Sequence, residues 1–133
     1  MKKPTRRRFF KTAAASGVAA MLGSQALAFA NEKVFMHQVY FWLKNPDSEE
    51  DKEKLIEGLK RLTKVKIIRK HFIGLPSVAD RGVIDSTYSV SWLLFFKSKA
   101  DEASYQKDPI HLKFVEECSP LWDKVLVYDS QEI

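Results

Sequence analysis

Three residues of this chain have types and surroundings suited to moving a proton: His37, Tyr105 and His111. A neutral imidazole held among apolar groups takes a proton from carbon next to a carbonyl, and a phenol donates to the oxygen where negative charge then develops. His111, Phe114, Val115 and Cys118 follow i, i+3, i+4, i+7 spacing, so the histidine belongs to an apolar helical stripe directed inward. The same spacing suits a structural histidine whose ring nitrogens bond backbone or Tyr105, and Tyr105 also reads as a core aromatic with its hydroxyl at the rim. His71 sits among charges and reads as surface.

The elements that must hold these residues are legible in the pattern of the chain. Val34 to Leu43 is rich in β-branched and aromatic residues and stops at Lys44-Asn45-Pro46, which predicts a strand. Alternation puts Phe35, His37, Val39, Phe41 and Leu43 on one face and Met36, Gln38, Tyr40 and Trp42 on the other, so both faces need cover. A helix follows, capped by Asp47 or Ser48, with Glu49, Glu50 and Asp51 at its start, Lys60, Arg61 and Lys64 at its end, and Leu55, Ile56, Leu59 and Leu62 as its buried stripe.

Val65 to Ile73 predicts a second strand with one wet face, and Gly74 to Ser86 a loop. Thr87 to Lys97 predicts a third strand, with Tyr88, Val90, Trp92, Leu94 and Phe96 on one face. Ser98 caps a short helix through Tyr105, Asp108-Pro109 restarts helical structure, Pro120 ends it, and Lys124 to Asp129 supplies a last strand. Strand, helix, strand, strand, helix, strand is the order of a ferredoxin-like α+β fold, an antiparallel sheet with helices on one face. The other, bulky face is expected to pack on a second copy.

With these residues in order, the chain resembles the stress-responsive dimeric A/B barrel family, Dabb. The resemblance rests on Met36-His37-Gln38-Val39-Tyr40-Phe41, Gly74, Tyr88-Ser89-Val90-Ser91, the block from Tyr105 to Val115, and Val125-Leu126-Val127-Tyr128-Asp129. Tyr105, Pro109 and His111 are its most diagnostic spacing. It implies a homodimeric α+β barrel. One plant branch of the family consists of cofactor-free polyketide cyclases, whose pattern implies His111 as general base, Tyr105 assisting and His37 lining the same pocket. The chain departs from that branch at Leu59, where the cyclase has a pocket tyrosine, and at Asp108, where it has another histidine.

Three roles fit this reading: a binding module for a small hydrophobic ligand, a cofactor-independent lyase, cyclase or isomerase, and a non-catalytic assembly protein. No cofactor is expected, since no residue marks a haem. The three histidines lack a chelating local spacing, so no metal is expected either. Cys118 is the only cysteine, which leaves no intrachain disulfide.

The N-terminus reads as an address. Thr5-Arg6-Arg7-Arg8-Phe9-Phe10-Lys11 resembles the twin-arginine consensus, with Arg6, Arg7, Phe9 and Lys11 as its signal motif, and a mildly apolar stretch runs from Ala13 to Phe29. Cleavage is expected after Ala30, with Ala28 as the competing site, giving a signal peptide over 1–30, a mature domain over 31–133, passage through the Tat export machinery and a periplasmic destination. The alternative is an uncleaved anchor, for which the stretch is short and polar. Six of the 22 basic residues lie within Met1 to Lys11 and no acidic residue precedes Glu32, so from Asn31 onward the charges nearly cancel. The mature domain is therefore expected to bind neither nucleic acid nor a membrane surface.

Overall fold

The computed structural model describes Lys33–Ile133. The targeting motif and the cleavage site at Ala30 lie outside the described residues.

The elements run β1 (Phe35–Leu43), α1 (Glu49–Leu62), β2 (Lys70–Gly74), β3 (Val90–Phe96), α2 (Lys99–Lys107), α3 (Pro109–Cys118), a single 3-10 turn (Ser119–Leu121) and β4 (Trp122–Gln131). The four strands form one sheet in the order β2-β3-β1-β4, with every neighbouring pair antiparallel. This is the ferredoxin-like arrangement, and β1 and β3 hold its centre.

Each helix starts where its capping chemistry says it should. Ser48 caps α1, its hydroxyl accepting from the Asp51 N–H at 3.2 Å, and Ser98 does the same for α2 through the Asp101 N–H. Asp108 both ends α2 and caps α3, accepting from the Ile110 N–H at 2.8 Å, with Pro109 in the first turn where its missing N–H costs nothing. The inward faces of β1 and β3 then pack on the helix layer. Leu55, Leu59, Leu62, Val90, Leu94 and Phe96 lose all contact with water, and Trp92 and Tyr105 nearly all.

At the α1–α3 contact the backbone of Gly58 approaches the other helix so closely that an added Cβ would meet Cys118 Sγ at 2.6 Å and the Phe114 ring at 3.0 Å. An alanine in a helix interior gains about 1 kcal/mol over glycine, but overpacking a filled core costs about 1–3 kcal/mol. Both neighbours here are themselves buried, so overpacking wins. Gly58→Ala is expected to lower the urea midpoint, and a stabilised variant would show that the helices separate without cost.

Three local expectations are corrected. The second strand begins at Lys70 rather than Val65, because the Val65 and Ile68 amides close turns onto Leu62 and Val65 and are not free for a ladder until Arg69 donates to the Phe95 carbonyl. The third strand begins at Val90, after a bend at Ser89, whose N–H donates to the Phe41 carbonyl and whose hydroxyl accepts from the Leu43 N–H. That bend carries Tyr88 to the outer face, where its ring meets Tyr40 at 5.1 Å and Trp42 at 6.4 Å. Val115, expected in the buried stripe of α3, is 38% exposed, because the helix layer stops short of β4.

Among the described residues no layer covers the outer face of the sheet. Tyr40, Tyr88 and Tyr128 cluster there, Phe72 stands open on β2, and Lys124 lies 4.3 Å above the Trp42 ring. Among the described residues no helix is long and apolar enough to cross a membrane.

Candidate active site

Because the helices leave β4 uncovered on its inner side, Val125 and Val127 flank the mouth of a cavity of about 160 Å³ between sheet and helices. His37 from β1, Tyr105 from α2 and His111 from α3 all line it, among Val39, Phe41, Trp92 and Phe114. The structure thus brings together the three residues singled out from the sequence. Their rings form a chain, with centroids 6.1 Å apart from His37 to Tyr105 and 4.6 Å apart from Tyr105 to His111.

Each imidazole has a defined proton. His37 Nδ1 lies 2.6 Å from Asp129 Oδ1, directly across the β1–β4 ladder. An ionised carboxylate only accepts, so Nδ1 carries the hydrogen and Nε2 is the remaining nitrogen. His111 Nδ1 lies 3.2 Å from the Gln106 carbonyl oxygen, which also only accepts, so the same tautomer follows. In each ring Nε2 is the nitrogen not engaged by these bonds. Nδ1 of His37 is also 3.7 Å from Glu102 Oε1, on the first turn of α2.

Burial pushes the His111 imidazole below its usual value, reinforced by His37 and opposed by the Gln106 carbonyl, Glu102 and Asp108. At neutral pH it is the neutral, proton-accepting form. Burial likewise pushes the Tyr105 phenol above its ordinary value, so it stays protonated. The Trp92 indole N–H donates to the Tyr105 oxygen at 3.2 Å, which leaves the phenol's own proton for another acceptor. A base, a retained acid and an apolar wall are what removal of a proton beside a carbonyl requires.

Leu59 lies in the core and does not line the cavity, and Cys118 faces Gly58. His71 is exposed, with its ring 5.8 Å from Trp92. Asp129, Glu102 and Gln106 were not singled out from the sequence. For Asp129 a signal existed: it shares period-two alternation with Val125 and Val127, which the ladder pairs with inward-facing Phe41 and Val39. Glu102 and Gln106, one helical turn apart and joined by a 2.6 Å hydrogen bond, looked like ordinary surface polar residues of a short helix.

A ferredoxin-like protomer with a cavity between sheet and helices and an open outer sheet face defines a class of dimerising α+β proteins. The family model for the stress responsive A/B barrel domain matches residues 35–132. The chain belongs to that family. Among solved structures it is similar to a Dabb family protein with a ferredoxin-like fold from Mesorhizobium loti, at 26% identity and a TM-score of 0.60, covering 74% of this chain and 95% of the other. A dimeric protein of unknown function from Bacteroides fragilis matches at 20% identity and a TM-score of 0.59, covering 75% and 96%. The hydroxynitrile lyase of Passiflora edulis matches at 19% identity and a TM-score of 0.63, covering 77% and 95%, a likeness of fold. No curated protein matches the chain.

Proposed function

We propose that this domain works as an exported homodimer that takes a small, largely apolar molecule into the cavity between sheet and helices and moves a proton on it with His111. The observation that carries this reading is the pair of imidazoles lining one apolar cavity, each with Nδ1 committed to an acceptor and Nε2 left to exchange a proton. A cavity of about 150 Å³ is enough for one aromatic ring, so the ligand has a single ring or a short branched chain at the reacting end. The polar end meets Tyr105 and His111, and the apolar end meets Val39, Phe41 and Phe114.

The lyase from Passiflora edulis lends this reading an analogy of scaffold only. Ligand storage without turnover is the second reading, favoured by Leu59, which supplies no hydroxyl to the cavity. Dimer formation draws support from the bare aromatic face of the sheet and from the dimeric neighbour in Bacteroides fragilis. Export rests on the arginine motif at Arg6 and Arg7.

Native mass spectrometry of the protein from an exporting host tests these parts together. The expected species is a dimer of subunits beginning at Asn31, carrying or taking up one small apolar molecule per subunit. A full-length monomer that takes up no aryl ketone or other one-ring compound would contradict the proposal.

A further inference from the structure

Holding His37 in place needs one carboxylate, and Asp129 supplies it at 2.6 Å. Glu102 is therefore the residue to explain. It projects a carboxylate from the first turn of α2 to within 3.7 Å of the same ring nitrogen, and its side chain is only 12% exposed. Burying a second carboxylate beside one imidazole costs desolvation, a cost that a cation bound between them would offset.

We propose that His37, Glu102 and Asp129 form a binding site for one divalent cation of the zinc class. The three donor atoms, one each from β1, α2 and β4, all lie within 4.8 Å of one another. Ligands about 2.0–2.2 Å from a shared metal stand roughly 3.0–3.6 Å apart. The 3.7 Å separation is already close to this range. The 2.6 Å separation is that of a hydrogen bond; as the metal takes Nδ1 the ring's proton passes by way of water to Nε2, so the imidazole binds in its neutral form, and the separation opens by about half an ångström.

The donors are held before any ion arrives. The β1–β4 ladder fixes His37 opposite Asp129, and the Gln106 amide donates to Glu102 Oε1 at 2.6 Å. The Asp129 side chain is 42% exposed, which gives the ion a route in and water a place in its coordination shell. One imidazole with two carboxylates suits zinc better than magnesium or calcium, which favour all-oxygen shells. Local sequence spacing is blind to this site, because its donors are 65 and 27 positions apart in the chain. The inference is independent of any proton transfer by His111.

The test is calorimetric titration of tag-free protein, stripped with EDTA, with zinc chloride. One zinc per subunit is expected, weakened at least about 10-fold in each of His37→Gln, Glu102→Gln and Asp129→Asn, since even changes outside the ligand shell cost about 10- to 100-fold. His71→Gln, at the exposed histidine, is expected to bind as the wild type does. Circular dichroism checks that each variant is folded. In the wild type, long-range proton–nitrogen NMR is expected to show the His37 Nδ1 resonance losing its proton and shifting on zinc addition. Binding that survives Glu102→Gln and Asp129→Asn, binding lost in His71→Gln, no stoichiometric binding, or a His37 Nδ1 that keeps its proton at saturating zinc would each overturn the proposal.

Discussion

Tyr40→Glu is expected to convert the protein from a dimer to a folded monomer, halving the mass seen by analytical ultracentrifugation at micromolar concentration. Tyr40 lies at the middle of β1 on the outer face, with its ring 5.1 Å from Tyr88 and 6.3 Å from Tyr128. Packing a partner's sheet over that cluster removes it from water, and a carboxylate placed there would lose its hydration, a loss that Lys124, above the neighbouring Trp42 ring, offsets only in part. Burying a charge costs several kcal/mol, and each ~1.4 kcal/mol is tenfold in affinity, so dimer affinity falls by about 10³-fold or more. The protomer itself loses little, because its core lies on the opposite face. A Tyr40→Glu variant that stays dimeric would place the interface elsewhere.

The largest effect on stability is expected at Trp92. Its side chain is 1% exposed, packs among the core residues of β1 and β3, walls the cavity and donates to Tyr105. Trp→Ala removes the most volume of any core substitution and costs about 3–5 kcal/mol, a large share of the ~5–15 kcal/mol typical of a domain. The void would join the existing cavity of about 160 Å³, so little of the surrounding structure can collapse to fill it. Trp92→Phe keeps most of the packing but strips Tyr105 of its donor, at about 1–3 kcal/mol for a buried group left unpaired. Urea denaturation of the two variants separates these contributions. Equal losses would mean that the indole hydrogen bond, and not the volume, dominates.

Much of the frame was legible because it depends on short-range rules. The alternation in β1 fixed which side His37 faces, and the caps at Ser48, Ser98 and Asp108 marked three helix starts. The places that misled are those where tertiary hydrogen bonds override local pattern. Val65 to Ile68 has the composition of a strand, but the Val65 and Ile68 amides close turns, and Ser89 interrupts an apolar run because it bonds across to β1.

The same distinction holds for the site. His37, Tyr105 and His111 carry recognisable chemistry in their side-chain type, so they stood out alone. Glu102 gains meaning only through its approach from α2 to His37 on β1, which a local spacing does not record, and Asp129 only once the alternation it shares with Val125 and Val127 is joined to the β1–β4 pairing.

The most direct test of the central claim is deuterium wash-in to acetophenone in D₂O, followed by NMR over a range of pH for the wild type and His111→Gln. General-base catalysis is worth about 10²–10⁴-fold, so the variant should be slower by that factor at neutral pH. The base must be neutral to act, and burial holds the His111 pKa below its ordinary 6.5. The wild-type rate should therefore fall to half its plateau only below pH 6.5, as the imidazole takes up a proton. Exchange in His111→Gln at the wild-type rate, or a loss of rate centred above pH 6.5, would contradict a proton-transfer site built on His111.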